Sequence, residues 1–340
     1  MRTAIVIGAG LAGLSAARTL AGLGWSVTVL EQAQTLGGRA TTIGPAGERL
    51  DLGAQFFSIS QPRLTSLLEA WLDRGVAVPW CPGVPVLGQP GGEDGRPRYR
   101  CPDGISALAT ALADNQSVLT GATVTRCVAA AKRWTVYGVV QGAVQQWQAD
   151  ALVMTPPVPV ALELLKAGTQ ERPLTPALAE RLGAVRYTSC VSLVLEYPSA
   201  TSCAVPGPGI VRVHDDGPFY ILASQRAKGL RLAGETVVLH TRGPWADAHR
   251  QRTDAELLAE LVPAATALLG RLETGAWTAP ASTRLVHWPH NVPVETIGNP
   301  TVVTDLGAPV AFAGDAFGDR PRIEGSLLSG MAAAEALDRG

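Results

Sequence analysis

Residues 3–39, TAIVIGAGLAGLSAARTLAGLGWSVTVLEQAQTLGGR, decide the fold of this chain. A short apolar run over residues 4–7 leads into Gly8, Gly10 and Gly13, which have G-x-G-x-x-G spacing. A helix of small residues and a second apolar strand follow. A glycine loop between a strand and a helix, with another strand after the helix, predicts a dinucleotide-binding unit.

Each glycine has a separate physical task in such a loop. Gly8 permits the tight turn, Gly10 lets the backbone approach a pyrophosphate, and Gly13 lets the helix pack closely on the strand. The helix is predicted over residues 11–23. Its first turn directs free N–H groups and a partial positive charge at the phosphates.

The residues after the second strand favour one dinucleotide over the others. Glu31 lies eighteen residues past Gly13, where a carboxylate accepts hydrogen bonds from a ribose and disfavours a 2′-phosphate. NAD and FAD therefore remain. The sequence LGGR over residues 36–39 offers backbone N–H groups and a cation to a pyrophosphate. It resembles the glycine-doublet arginine motif of amine-oxidase-type flavoproteins, many of which have arginine where this chain has Thr35.

The C-terminal part of the sequence agrees with a flavin. A predicted strand over residues 309–313 is followed by Gly314 and Asp315, and a helix is predicted over residues 326–337. This order resembles the second flavin fingerprint of the same superfamily, in which the aspartate accepts hydrogen bonds from the ribityl chain. The helix N-terminus would face the ring edge where negative charge develops on reduction.

Composition excludes several classes of protein. The net charge of −1 gives no electrostatic basis for binding nucleic acid. The five cysteines are odd in number and form no C-x-x-C pair, so neither a disulfide framework nor a metal site is predicted. No apolar run reaches the ~18 residues of a membrane span. We expect a soluble, cytoplasmic protein.

A chain of 340 residues predicts two domains. Strands and helices alternate at both ends of the chain, whereas the middle has strand patterns with few helices between them, which favours an antiparallel sheet. We predict a discontinuous dinucleotide-binding domain over residues 1–58, 100–157 and 286–340. The substrate domain is predicted over residues 59–99 and 158–285.

Three local predictions are specific enough to test. A strand is predicted over residues 118–124, ending at Val124, and a hairpin over residues 134–147. An amphipathic helix is predicted over residues 254–269, interrupted at Pro263.

Several segments together resemble the renalase family, flavoproteins related to amine oxidases. The two most specific are DLGAQ at residues 51–55 and EGSLLSG at residues 324–330. The others are residues 99–109, 187–195, 227–229 with Lys228, 237–240 before Trp245, and 286–289 with Trp288.

The resemblance implies an α/β fold of the glutathione-reductase/p-hydroxybenzoate-hydroxylase type. Its FAD-binding Rossmann-like domain would be joined to a second, α+β substrate domain on an antiparallel sheet. It also implies non-covalent FAD. With the motifs above, the predicted FAD contacts are Gly8, Gly10, Leu11, Ala12, Gly13, Glu31, Gln32, Gly38, Arg39, Ala54, Gln55, Phe56, Val124, Gly314, Asp315, Glu324, Gly325 and Leu328.

Four side chains are candidates for catalysis. By resemblance, Gln55 lies against the flavin ring and His240 lines the pocket, and Trp288 offers a surface on which a planar ligand can stack. Lys228 lies in a predicted turn, whereas the other two lysines, Lys132 and Lys166, are expected to face solvent.

The resemblance implies an oxidase that takes a hydride from a wrong-isomer dihydro-NAD(P), a dihydropyridine, and reduces molecular oxygen to hydrogen peroxide. Hydride loss from such a ring gains aromaticity and needs no strong base, so positioning is the main task of the protein. Three alternatives remain: an amine oxidase or other C–H oxidoreductase on the same fold, a flavin-binding protein without turnover, and a conventional NAD dehydrogenase. The sequence leaves the oligomeric state open.

Overall fold

The computed structural model describes residues 1–44, 48–89, 94–198, 203–272, 275, 277–319 and 321–340. A six-stranded sheet forms its centre. In spatial order its strands are β17 (Val302–Asp305), β18 (Pro309–Phe312), β11 (Ala151–Met154), β1 (Thr3–Ile7), β2 (Ser26–Leu30) and β7 (Ser117–Leu119). All neighbours run parallel except β17 and β18. The strands at both ends of the chain are therefore brought into one α/β unit, as the sequence predicts.

One face of this sheet is covered by three helices, α1 (Leu11–Gly22), α3 (Ala107–Ala113) and α8 (Ile323–Arg339). Helices α1 and α8 approach until their backbones touch. A Cβ atom on Gly330 would lie 2.1 Å from the carbonyl oxygen of Ala12. The two glycine-rich ends of the chain are thus packed against each other without intervening side chains.

A three-stranded antiparallel sheet covers the other face, formed by β8 (Ala122–Ala130), β9 (Arg133–Val140) and β10 (Ala143–Ala149). The predicted hairpin is confirmed, with positive φ at Gln141 and Gly142. The strand predicted over residues 118–124 is instead divided between β7 and β8, because Gly121 has φ +68° and turns the chain. Val124 lies inside β8, opposite Gly138.

The second domain is built on a five-stranded antiparallel sheet. Its order is β13 (Ile210–Arg212), β14 (Phe219–Ser224), β15 (Thr236–Thr241), β12 (Tyr187–Glu196) and β16 (Ser282–Pro293). Helices α6 (Gly243–Ala248) and α7 (Asp254–Gly270) pack on one face. The predicted interruption at Pro263 is wrong: α7 continues through it, because the buried residues Leu257, Leu261 and Leu268 hold both halves on the sheet.

The remaining described elements connect these layers. They are β3 (Thr42–Ile43) with β4 (Leu50–Asp51), β5 (Val78–Cys81) with β6 (Arg98–Arg100), a 3-10 turn (Pro62–Leu64), α2 (Thr65–Asp73), α4 (Val158–Lys166) and α5 (Pro176–Gly183). Within the described ranges, no helix is both long and apolar enough to span a bilayer.

Two predicted domain boundaries fall inside packed units. Strand β16 pairs with β12 along most of its length, so the boundary at residue 286 lies within the antiparallel sheet. Leu64 and Trp71, from the segment predicted in the substrate domain, are buried in the core beneath α1 and α8. The exact division of the chain into domains stays a prediction.

Candidate functional site

The first glycine loop has the geometry of a phosphate cradle. Gly8 has φ +100°, and a Cβ atom on Gly13 would lie 2.0 Å from the carbonyl oxygen of Gly8. A Cβ atom on Gly10 would meet no atom within 4 Å. The backbone is therefore crowded behind the loop and open in front of it, where a diphosphate would approach.

The first turn of α1 leaves donors free at this opening. The first N–H bond within the helix runs from Leu14 to the carbonyl of Gly10, at 3.0 Å. The N–H groups of Leu11, Ala12 and Gly13 precede it and have no carbonyl to reach within the helix. Three predicted contacts are thus backbone donors at the positive end of the helix dipole.

The second glycine loop lies directly beside the first. The Gly37 N–H donates to the carbonyl of Ala9 at 2.9 Å, and a Cβ atom on Gly38 would lie 3.6 Å from the Cα atom of Gly10. Both glycines of the doublet have positive φ, +110° and +58°. The predicted contacts Gly10 and Gly38 therefore form one continuous backbone surface.

Glu31 lies at the end of β2 with its carboxylate buried. It accepts hydrogen bonds from the N–H groups of Ala9 and Ala33, at 2.7 and 2.8 Å. These bonds fix the carboxylate beside the first glycine loop and leave lone pairs that a ribose hydroxyl can use. Gln32 follows on the exposed side. The backbone of Ala122, two residues before Val124, donates to the Glu31 carbonyl at 2.8 Å.

Arg39 connects the two ends of the chain. Its guanidinium donates to both carboxylate oxygens of Asp315, at 2.5 and 2.8 Å, and to the carbonyls of His290 and Asn291. Burial opposes the charge of this guanidinium, but Asp315 raises its pKa above the ordinary value. The structure thus joins a predicted phosphate ligand and a predicted ribityl ligand in one ion pair.

The N-terminal turn of α8 is tied to the neighbouring chain by Glu324. Its carboxylate accepts hydrogen bonds from the N–H groups of Ser60 and Gln61, at 2.5 and 2.7 Å. These donors occupy the carboxylate, so Glu324 holds the helix end in place through its side chain. Gly325 and Leu328 follow on this end of the helix, partly buried. The N–H of Gly314 donates to the hydroxyl of Ser329 at 2.9 Å.

The D-L-G-A-Q segment carries a fully buried ion pair with the second domain. The Lys228 ammonium lies 2.5 Å from Oδ2 of Asp51, and neither side chain is exposed to solvent. The other carboxylate oxygen of Asp51 accepts from the Thr42 hydroxyl and the Ile105 N–H, at 2.6 and 2.8 Å. The charges neutralise each other, so Lys228 acts on this segment rather than on a ligand.

Gln55 extends the pair into a network. Its side-chain oxygen accepts from Gln225 at 2.8 Å and from Lys228 at 3.2 Å. Its amide donates to the carbonyls of Asp51 and Gly53, both at 2.9 Å. The segment that carries Ala54 and Gln55 is therefore held by its own backbone and by the second domain.

His240 and Trp288 meet at Ser192. The indole N–H of Trp288 donates to the Ser192 hydroxyl at 2.8 Å, and that hydroxyl lies 2.7 Å from Nδ1 of His240. That hydroxyl also donates to the carbonyl of Leu52 at 3.1 Å. The imidazole also contacts the backbone of Gly53, and its Nε2 atom lies 3.4 Å from the side-chain amide nitrogen of Gln55. Burial lowers the pKa of His240 to about 4, so the imidazole is neutral at pH 7.

All four catalytic candidates, Gln55, Lys228, His240 and Trp288, thus belong to one polar network. The side chains that connect them were not predicted from the sequence; they are Asp51, Ser192 and Gln225. Asp51 belongs to the quoted D-L-G-A-Q segment, but its partner is 177 residues away. Lys132 and Lys166 are exposed, as predicted. Among the described residues, no three His, Cys, Asp or Glu side chains come together as a metal site.

The network lies on one face of the five-stranded sheet, which we call the site face. It is the face that carries Ser192, His240 and Ile221, opposite the face that packs on α6 and α7. Phe56 packs against it beside Ile221, and the Arg98 guanidinium lies 5.6 Å from the Phe56 ring. A flat ligand between the glycine loops and the D-L-G-A-Q segment would therefore face this sheet.

Comparison with known proteins identifies the family. A model of flavin-containing amine oxidoreductases matches residues 86–338, and a model of NAD(P)-binding Rossmann-like domains matches residues 6–71. This chain belongs to the flavin-containing amine oxidoreductase family. FAD is accordingly its cofactor, and this flavin amine oxidoreductase is an FAD-dependent oxidoreductase rather than an NAD dehydrogenase.

Individual relatives of this flavin amine oxidoreductase match over short stretches. Putrescine oxidase from Kocuria rosea is 43% identical over 68 residues, 20% of this chain and 14% of the relative. A neurosporene-forming phytoene desaturase from Cereibacter sphaeroides is 43% identical over 72 residues, 21% of this chain and 13% of the relative. The matched stretch is thus a small part of either relative.

Solved structures match over the whole length. Cyclohexylamine oxidase from Brevibacterium oxydans IH-35A has a TM-score of 0.72 at 16% identity and covers 99% of both chains. A triple mutant of putrescine oxidase has a TM-score of 0.71 at 15% identity, over 100% of this chain and 99% of that one. These matches show the fold. The comparisons support the amine-oxidase-related superfamily and not the renalase family in particular.

Proposed function

We propose that this protein is an oxidase that takes a hydride from a small dihydropyridine-type molecule, such as a wrong-isomer dihydro-NAD(P). When bound, FAD would supply the redox chemistry, which is acceptance of the hydride and transfer of its electron pair to molecular oxygen; with the hydride's hydrogen and one proton from solvent this gives hydrogen peroxide. The substrate leaves as the aromatic pyridinium. This proposal narrows the amine-oxidase-type chemistry of the family to one class of donor.

The charge state of the polar network supports this proposal, because none of its side chains is a free base at pH 7. His240 has both ring nitrogens engaged and a pKa lowered by burial to about 4, so it is a weak base at pH 7. The Lys228 ammonium is paired with Asp51 and directed at the D-L-G-A-Q segment. Oxidation of a dihydropyridine requires no proton removal from the donor, which fits a site without a ready base.

The remaining residues have binding and orienting tasks. The N–H groups at the start of α1, with Gly38 and Arg39, would hold the diphosphate. The start of α8 supplies a positive dipole end for the reduced ring. The D-L-G-A-Q segment, held by Lys228 and Gln225, orients Ala54 and Phe56 against the ligand. Bringing donor carbon and flavin into contact is the main source of rate acceleration in such a reaction.

A second candidate is oxidation of an amine. The family match supports it, and so do the structural neighbours whose names include cyclohexylamine oxidase and putrescine oxidase. An amine is protonated at neutral pH and becomes a hydride donor only after losing that proton. Flavin reduction by an amine would therefore accelerate as the pH rises toward the amine pKa, whereas reduction by a dihydropyridine would not.

Anaerobic rapid mixing separates the two. We expect borohydride-reduced NAD isomers to bleach the flavin absorbance of the holoprotein faster than a panel of primary and secondary amines, at a rate independent of pH between about 6.5 and 9. Faster bleaching by an amine, with a rate that rises with pH, contradicts the proposal and supports the second candidate. Bleaching by neither class indicates a flavin-binding protein without turnover.

A further inference from the structure

Arg212 lies on the site face, in the same cross-strand row as His240. Arg212 pairs with Ile221, Ile221 with His240, and His240 with Ser192. Directly paired residues on neighbouring antiparallel strands project to the same side of a sheet. The sheet register therefore directs Arg212 toward the side on which the polar network lies, two strand spacings, or about 10 Å, from His240.

Arg212 carries a charge that the neighbouring side chains leave uncompensated. Its guanidinium is partly buried, and within the described ranges it has no hydrogen bond and no carboxylate within ion-pair distance. Lys228, a second cation near the network, is neutralised by Asp51 at 2.5 Å. The open part of the site face is consequently positive.

Tyr220 supplies an aromatic surface between Arg212 and His240. It is the bulged residue of β14, where the register shifts between Phe219 and Ile221, and its ring stacks on His240 with an interplanar angle of 24°. The side chain is 39% exposed. Burial raises the pKa of its hydroxyl, and the nearby cations Arg212 and Arg322 oppose that rise. Arg322 precedes α8, so this surface extends toward the predicted flavin ring.

We propose that Arg212 binds an anionic group of the substrate, a carboxylate or a phosphate, while the ring of Tyr220 contacts the adjacent part of the molecule. This inference rests on the proposed function and names its substrate class: the hydride donor is an anion. A guanidinium is suited to this task because its N–H donors match the two oxygens of a carboxylate or phosphate. A cationic polyamine would be repelled by the same charge.

Two matched ligand pairs test the inference on the FAD-loaded protein. The first pair does not react: benzoate and its neutral isostere benzamide, titrated against the flavin absorbance spectrum. We expect benzoate to bind at least tenfold more tightly than benzamide. Arg212→Met should abolish this difference in affinity between benzoate and benzamide, and Arg212→Lys should retain part of it. Arg18→Met, which removes an exposed charge on α1, should leave the difference unchanged.

The second pair reacts: the isomers of borohydride-reduced nicotinamide mononucleotide, which carries a phosphate, and those of borohydride-reduced nicotinamide riboside, which does not. We expect faster flavin bleaching by the mononucleotide, lost in Arg212→Met, with the riboside rate unaltered. If neither donor reacts but benzoate still binds through Arg212, the proposed function fails and the anion site stands. Equal binding of benzoate and benzamide, no spectral response to benzoate, or full benzoate affinity in Arg212→Met would each overturn the anion site.

Discussion

Arg39 and Asp315 form a two-pronged ion pair, with guanidinium-to-carboxylate distances of 2.5 and 2.8 Å, although 276 residues separate them along the chain. Arg39 follows the glycine doublet near the N-terminus, and Asp315 follows strand β18 of the central sheet. The pair brings two predicted FAD ligands of opposite charge side by side, at the junction of the two glycine loops and α8.

Replacing Arg39 with alanine is expected to weaken FAD retention about tenfold or more, because a charge-assisted hydrogen bond contributes about 1.5–3 kcal/mol. Asp315→Ala should have a similar effect, since it also leaves the guanidinium of Arg39 without its partner. The flavin-to-protein ratio after gel filtration measures the loss, with Arg18→Ala as the control. Unchanged flavin content in both variants would remove these residues from the FAD site.

The Asp51–Lys228 pair is expected to contribute to stability through burial. Lys228→Met leaves the Asp51 carboxylate uncompensated in the interior and should lower the free energy of unfolding by about 3–5 kcal/mol. The double variant Asp51→Asn with Lys228→Met should recover much of that loss, because it buries no lone charge. Urea unfolding of the three proteins measures both effects. A double variant as unstable as Lys228→Met would mean that packing, not charge, dominates.

Acid is expected to destabilise the fold through His240. The folded protein holds this imidazole neutral down to a pH of about 4, whereas the unfolded chain takes up a proton near the ordinary value of 6.5. The unfolded state therefore binds more protons between these values, and stability falls as the pH drops through the interval, by ~3 kcal/mol. His240→Gln should show a smaller fall over the same range in urea titrations. Identical pH profiles would show that His240 is not held neutral.

Two glycine substitutions should separate binding from folding. Gly10→Ala meets no atom within 4 Å, so thermal unfolding of the apoprotein should be almost unchanged, while FAD affinity falls because the methyl group occupies the space of the diphosphate. Gly330→Ala places a methyl group 2.1 Å from the Ala12 carbonyl oxygen. This variant should lower both the unfolding temperature of the apoprotein and its affinity for FAD. Normal FAD affinity in Gly10→Ala would show that the diphosphate lies elsewhere.

Ser192 is expected to act by positioning its neighbours. Ser192→Ala removes the hydroxyl that joins Trp288 to His240, and it should slow flavin reduction while leaving flavin content unchanged. Ser192→Thr retains a hydroxyl and should restore part of the rate. A loss of rate that the threonine variant does not relieve would indicate a packing defect instead.

Local sequence patterns predict much of this fold, because strand, helix and glycine loop follow one another within 40 residues. The central strands and both glycine loops were predicted from such local patterns. Strand β16 was missed because Pro289 and Pro293 interrupt its pattern. Both are tolerated since β16 lies at the edge of its sheet. Lys228 lies 177 residues from its partner Asp51, and Trp288 lies 96 residues from its partner Ser192. No short sequence pattern encodes contacts over such separations.

The backbone contact between Gly330 and Ala12 has a consequence for biosynthesis. While a ribosome is still making the middle of the chain, α1 has no partner helix α8, and the central sheet has no strand β18. A nascent polypeptide of 300 residues therefore contains the first glycine motif but only part of the pocket. Cofactor capture must therefore wait until α8 has been translated.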